Sequence, residues 1–379
     1  MKVMSVFGTR PEAIKMCPLV LELQKYPALT SVVCVTGQHR QMLDQVMEVF
    51  GITAQYDLDI MRPRQTLTGI TTMVLEKFGE VLQKEKPDLV LVHGDTSTSF
   101  AAALAAFYQQ VPVAHVEAGL RTYDRYSPFP EEMNRTLTGR IAALHFAPTE
   151  NNKKNLEKEN ITHNVFVTGN TVIDAFRTTV KADYRFKNKI LRELDLSNQR
   201  CVLLTAHRRE NLGRPLEQIC SAVKHLAQTY QNLIFIYPVH LNPAVKETAE
   251  RILSGAGNIC LIPPLDVEDM HNLIARSYLV LTDSGGLQEE APACGVPVLV
   301  LRSETERPEA VQAGTVRVAG VERQEIENAV TALIEDPEAY EKMAKAANPY
   351  GDGHACERIA EHLLGWSAGS SPGSSAHVE

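Results

Sequence analysis

Short apolar runs alternate with longer amphipathic ones along this chain, and that alternation predicts βαβ units and parallel sheets. In the first half the runs predict strands at Lys2–Phe7, Ser31–Thr36, Asp88–His93, Pro112–Glu117, His145–Pro148 and Asn164–Thr168. Helical periodicity fills the gaps, for instance over Gly69–Lys84 and Ser97–Gln109. After a charged, irregular stretch at Lys181–Gln199 the pattern restarts. Strands are then expected at Cys201–Ala206, Leu233–Tyr237, Asn258–Leu261, Tyr278–Thr282 and Pro297–Leu301, with helices Leu216–Tyr230, Val267–Arg276 and Gly285–Cys294. The prediction is an α/β chain of two doubly wound parallel sheets, residues 1–170 and 171–350, with the boundary near Gly169–Val180. A last helix, about His354–Trp366, follows the turn-rich Asn348–Gly353, and the segment 351–366 is expected to cross back to the first domain. The Ser-, Gly- and Pro-rich tail 367–379 is expected to be disordered.

Bulk properties narrow the function classes. The 379 residues exceed one ordinary core and suit two domains. Hydrophobic residues make up 44% and charged residues 22%, which is globular composition. A net charge of −8 disfavours a nucleic-acid or anionic-membrane partner, so any anionic ligand must be met by locally gathered cations. Seven scattered cysteines without a CxxC predict buried free thiols in a reducing, cytoplasmic setting, with no metal or disulfide framework. The N-terminus runs directly into a strand and lacks the apolar core of a signal peptide, and no apolar run approaches the roughly 18–20 residues of a membrane span.

In open parallel sheets ligands bind beyond the carboxyl ends of the strands, so the residues just after each strand carry the search. After the first strand, Gly8-Thr9-Arg10-Pro11-Glu12 opens a helix, with Arg10 and, a turn on, Lys15. This suits a diphosphate, or is a solvated helix start. No GxGxxG or Walker sequence is present. In His93-Gly94-Asp95-Thr96-Ser97-Thr98-Ser99, Asp95 ends a strand; it is an acid–base candidate or a helix cap. Glu117 in His115-Val116-Glu117-Ala118-Gly119 ends the neighbouring strand, and two such carboxylates are expected to raise each other's pKa. Glu131 and Arg135 lie one helical turn apart, as a site pair or as a surface salt bridge. In the second half, His207-Arg208-Arg209 ends a strand as a diphosphate site or a charged loop. Ser284-Gly285-Gly286 leads a strand into a helix N-terminus, with Glu290 in reach of ribose hydroxyls; the alternative is a Ser-capped core helix.

These segments, together with Pro130-Glu131-Glu132-Met133-Asn134-Arg135, Glu306-Arg307-Pro308-Glu309 and Asn348-Pro349-Tyr350-Gly351-Asp352-Gly353, resemble the bacterial non-hydrolysing UDP-N-acetylglucosamine (UDP-GlcNAc) 2-epimerases, in order over residues 1–366. The resemblance implies a GT-B-like fold of two Rossmann-like domains with an interdomain active-site cleft, homodimers, and no cofactor or metal. It implies interconversion of UDP-GlcNAc and UDP-ManNAc for cell-surface polysaccharide synthesis, by elimination of UDP to a 2-acetamidoglucal and re-addition. Asp95, Glu117 and Glu131 match the family's catalytic carboxylates. Arg10, Lys15 and His207 match the groups that stabilise the diphosphate. Ser284, Gly285, Gly286, Glu290, Arg307, Arg135 and Met270 fall at substrate positions, with uracil recognition around Pro264–Met270. Gln38, His39, Gln41, Arg64, Arg208 and His240 match a second site where some members bind UDP-GlcNAc as an allosteric activator. A hydrolysing epimerase releasing ManNAc and UDP, a GT-B glycosyltransferase and a nucleotide-sugar sensor are the competing readings.

Overall fold

The computed structural model describes residues 1–37, 40–62, 65–196 and 199–366, with the backbone alone at Arg40 and Gln41. Gln38, His39 and Arg64, the side chain of Gln41 and the tail 367–379 lie outside the described residues.

The chain forms two compact units, Met1–Thr178 with the segment from Tyr350 onward, and Thr179–Pro349. The first contains β1 (Lys2–Phe7), β2 (Thr30–Val35), β3 (Tyr56–Asp57), β4 (Leu89–His93), β5 (Val113–Val116), β6 (Leu144–Ala147) and β7 (Val165–Val167). These make one parallel seven-stranded sheet in the order β3-β2-β1-β4-β5-β6-β7. The strands read as apolar runs rather than alternations because helices cover both faces. Leu89, Val90, Leu91 and Val92 of β4 are all fully buried. On one face, helix Ser97–Tyr108 packs on helix Leu67–Glu85, and its alanines at 101, 102, 103, 105 and 106 are buried there.

The second unit holds β8 (Arg200–Thr205), β9 (Leu233–Pro238), β10 (Ile259–Ile262), β11 (Leu279–Thr282), β12 (Val298–Val300) and β13 (Val316–Val318). Its sheet is parallel and ordered β10-β9-β8-β11-β12-β13. Val202, Leu204, Tyr237 and Leu281 lie in its core with Leu216, Ile219 and Val223 of helix Arg214–Thr229. The edge strands β3 and β13 were absent from the sequence reading. β3 has only two residues, and the three of β13 are interrupted by the exposed Arg317, so neither presents an apolar run.

The last helix, Ala355–Gly365, packs against helix Arg10–Leu23 inside the first unit. Asp174 fixes its start: the carboxylate accepts from Ala355 N at 3.2 Å and Cys356 N at 2.9 Å, two donors that no helical carbonyl can serve. Just before it, Gly351 and Gly169 meet backbone to backbone. A Cβ on Gly351, at φ +118°, would lie 3.2 Å from Gly169 Cα. The seven cysteines form no disulfide, and Cys17, Cys34, Cys201, Cys220 and Cys356 are buried. Among the described residues, no helix is long and apolar enough to cross a membrane.

Candidate active site

Both sheets reverse their strand order once, between β1 and β4 in the first unit and between β8 and β11 in the second. At such a switch point the connections on either side leave in opposite directions and open a crevice at the carboxyl ends. The polar segments singled out in the sequence follow these four strands and β5.

In the first unit, the turns after β1 and β4 are joined by Glu12. Its Oε2 accepts from Gly8 N at 3.0 Å and Thr9 N at 2.8 Å, while Thr9 caps the helix Arg10–Leu23. Its Oε1 accepts from Thr96 Oγ1 at 2.6 Å and Ser99 Oγ at 2.9 Å. Gly8 is required by this approach: a Cβ there would stand 1.9 Å from Thr36 Oγ1. Arg10 begins the helix and Lys15 lies one turn further along it.

Asp95 is bonded by Arg135, whose other partner is Glu132 at 3.4 Å, and Asn134 Nδ2 donates to Asp95 O at 2.9 Å. Helix Glu131–Ile141 is thereby tied to the end of β4. Glu132 also accepts from the backbone N–H groups of Thr122 and Tyr123, at 3.0 and 2.9 Å. Arg135 does not pair with Glu131 as the helical spacing allowed. Glu131 is the first residue of its helix, half-buried, and joins no ion pair among the described residues.

Glu117 is held by side chains from three other segments. Its backbone sits at φ 62°, a left-handed conformation that non-glycine residues adopt rarely and that marks functional turns. Its carboxylate is paired with Lys15, accepts from Asn170 Nδ2 at 2.9 Å and stands 3.6 Å from His93 Nε2. Burial pushes its pKa up, but Lys15 and then His93 outweigh that and hold it well below the usual carboxylate range. The expectation that neighbouring carboxylates raise each other is therefore corrected for Glu117: the partner that decides is a cation. Beneath it, His115 Nε2 bonds Gly94 O at 2.7 Å, and burial lowers that imidazole to about 3, so the ring is neutral.

In the second unit, Asp283 at the end of β11 organises the segment after β8. Its Oδ2 accepts from His207 N and Arg208 N, both at 2.8 Å, and from Asn211 Nδ2 at 3.0 Å. The His207 ring lies against His240 with centroids 5.1 Å apart and an interplanar angle of 8°. The family resemblance places those two histidines in different sites, one active and one activator. Burial lowers the His207 pKa against the pull of Asp283, with His240 and Arg208 adding to the fall. These surroundings favour the neutral imidazole of His207.

The standing positive charge comes from arginines. Arg208 and Arg302 both face Glu306, at 3.5 and 3.3 Å, and Arg307 Nε bonds Glu289 at 2.5 Å. A Cβ on Gly285 would lie 3.5 Å from Arg208 and 3.8 Å from Arg307, so both guanidinium groups border the Ser284-Gly285-Gly286 turn. Burial raises the Glu306 pKa, but Arg208, Arg302 and Arg307 together bring it below normal. Ser284 N is used internally, donating to Thr282 Oγ1 at 2.9 Å. Glu290 folds back so that its Oε1 would be 3.1 Å from a Cβ on Gly286. Met270 is half-buried in helix Val267–Ala275, and Leu265 just before it is buried.

Four contributors were missed as site residues in the sequence: His93, Asn170, Asp283 and Arg302. Asn170 follows β7 closely, so the strand-end rule could have found it. Among the described residues, no group of three or more His, Cys, Asp or Glu side chains is arranged to hold a metal ion.

Two Rossmann-ordered sheets with charged clusters at their switch points put the chain in the GT-B-like class of α/β proteins. The family described as UDP-N-acetylglucosamine 2-epimerase matches it over residues 21–364. The UDP-N-acetylglucosamine 2-epimerase of Bacillus subtilis is 55% identical over 365 residues, covering 96% of this chain and 95% of the relative. The crystal structure of UDP-GlcNAc 2-epimerase from Neisseria meningitidis bound to UDP-GlcNAc is 51% identical with a TM-score of 0.87, covering 97% of this chain and 100% of that one. A UDP co-structure of an S. aureus protein, MnaA, is 51% identical with a TM-score of 0.87, over 96% of this chain and 95% of that one. The chain belongs to the UDP-N-acetylglucosamine 2-epimerase family.

Proposed function

We propose that this chain is a non-hydrolysing UDP-GlcNAc 2-epimerase, interconverting UDP-GlcNAc and UDP-ManNAc. The observation that carries the reading is the Lys15–Glu117 pair beside Asp95–Arg135 at the first unit's switch point. These two carboxylates, each beside a cation, supply groups able to take up and return a proton, and the cations beside them counter the charge that develops as the diphosphate leaves. In the elimination, the proton on the second sugar carbon passes to a carboxylate. The electron pair of that C–H bond forms the double bond of a 2-acetamidoglucal, while the bond from the first carbon to the diphosphate oxygen breaks and its pair leaves with UDP. Return of a proton to the opposite face and re-addition of UDP give the epimer.

In this reading Asp95, Glu117 and Glu131 serve the sugar as acid–base groups. Arg10, Lys15, Arg208, Arg307 and His207 stabilise the departing diphosphate. Ser284, Gly285 and Gly286 take the diphosphate, Glu290 the ribose, and the Pro264–Met270 segment the uracil. The relatives bound to UDP-GlcNAc and to UDP support this choice of ligand.

We further propose a cytoplasmic homodimer activated by a second UDP-GlcNAc through Gln38, His39, Gln41, Arg64, Arg208 and His240. The stacking of His240 on His207 supports a link between activator and active-site residues. Proton NMR of the chain incubated with UDP-GlcNAc tests the main reading. UDP-ManNAc is expected to rise to a constant fraction with no free sugar. Accumulation of free ManNAc with UDP makes the chain a hydrolysing epimerase instead.

A further inference from the structure

Asp283 is fully buried, yet its two oxygens are treated differently. Oδ2 accepts three hydrogen bonds, from His207 N, Arg208 N and Asn211 Nδ2. Oδ1 is buried as well and has no hydrogen-bond partner. A buried carboxylate oxygen without a donor is costly, and a native site that keeps one has a use for it. The three bonds on Oδ2 fix the carboxylate in place, so any partner for Oδ1 has to come to it. His207 Nδ1 stands 3.7 Å away. That separation is just beyond hydrogen-bond reach, and a small turn of the ring closes it. The ring has room for that turn: its side chain is 40% exposed, and it stacks on His240, whose own Nδ1 accepts from Asn242 N at 3.1 Å.

We propose that Asp283 is the positioning residue of His207: when a diphosphate binds at Nε2 the ring turns, Nδ1–H donates to Asp283 Oδ1, and the imidazole carries both protons. The inference rests on the reading that His207 serves the UDP diphosphate. The groups facing the ring are Asp283, His240, Arg208 and Glu210. Without ligand, burial and the two neighbouring cationic or imidazole groups keep the ring neutral against Asp283. An arriving diphosphate brings negative charge to one edge of the ring and finds a fixed carboxylate at the other. Both favour the imidazolium, and exclusion of water strengthens both. The second proton comes from solvent and binds the lone pair of the unprotonated ring nitrogen; no other covalent bond changes. The arrangement turns His207 into a cation only when there is an anion to meet. It also aims Nε2, because a ring held through Nδ1 has one remaining donor direction.

The test is nitrogen NMR of the histidines in the full chain, with His207 assigned by its loss in His207→Asn and UDP as the titrant. Saturating UDP at neutral pH should leave both ring nitrogens of His207 protonated, with its apparent pKa raised by about one unit or more. In Asp283→Asn the side-chain oxygen can still accept from the three donors, but the amide turns a donor toward Nδ1. That variant should lose the rise and bind UDP about tenfold more weakly. A folded Asp283→Asn protein whose His207 gains its proton on UDP binding just as the wild type does would overturn the proposal. If the variant does not fold, the wild type alone decides: a neutral His207 in contact with UDP refutes the positioning role. UDP that binds without perturbing His207 at all removes the functional reading and this inference together.

Discussion

Glu117, Glu12, Glu132 and Asp283 are four acidic residues at the ends of strands or starts of helices, and they do different work. Glu12 spends its oxygens on backbone N–H groups and hydroxyls, and Glu132 on backbone N–H groups and Arg135, which fixes the turns on which other residues stand. Asp283 does the same with one oxygen only. Glu117 meets side chains instead, Lys15, Asn170 and His93. In the sequence a carboxylate that anchors a turn and one that meets other side chains look alike, so position after a strand singles out Asp95 and Glu117 but does not reveal the anchoring role of Asp283. The Glu117 ion pair has a pH signature. Because its folded pKa is depressed, the stabilisation is fully present above the ordinary glutamate range and is lost as pH falls through the folded value. Glu117→Gln leaves Lys15 buried without its counter-charge, with an expected loss of about 3 kcal/mol near neutral pH. Urea unfolding at several pH values should show the gap to wild type narrowing in acid. A gap that widens in acid contradicts the assignment. The same variant is expected to lose about a hundredfold or more in turnover.

At the scale of elements, the long apolar strands were legible because each is buried on both faces and bounded by turns. The predicted strands at Lys2–Phe7, Cys201–Ala206 and Tyr278–Thr282 correspond to β1, β8 and β11 within a residue or so at each end. The strand-end rule then led to the Gly8, Asp95, Glu117, His207 and Ser284 segments without knowledge of strand order. What escaped was short or cooperative. β3 and β13 exist because a neighbouring strand offers them a ladder, not because their own residues insist on it. The partnership of Arg135 with Asp95 joins residues 40 apart in sequence, and the local Glu131 spacing pointed elsewhere. Asp174 is a further long-range element contact, capping a helix that begins 181 residues later. Asp174→Ala removes the acceptor for two buried N–H groups and should cost about 1–2 kcal/mol in urea unfolding. Asp174→Asn should recover part of that loss. No loss in the alanine variant would mean that water or another acceptor serves those groups.

At the scale of the molecule, one topological solution appears twice and is used for two purposes. Each unit reverses its sheet order at a pair of strands, and each gathers charge just beyond them. The first unit's charge is mixed, carboxylates matched by lysine and arginine, which suits moving a proton. The second unit sets Arg208 and Arg307, themselves paired with Glu306 and Glu289, beside a glycine turn, which suits holding phosphates. A net charge of −8 is no obstacle to an anionic ligand when cations are concentrated this way. The central claim is that the acidic side chains of the first unit exchange the proton on the second sugar carbon. Incubation of UDP-GlcNAc with the chain in deuterium oxide measures that directly. One deuteron should enter at that carbon in both epimers, and Asp95→Asn, Glu117→Gln and Glu131→Gln should each suppress it. Epimerisation without deuterium uptake, or undiminished uptake in all three variants, would contradict the account.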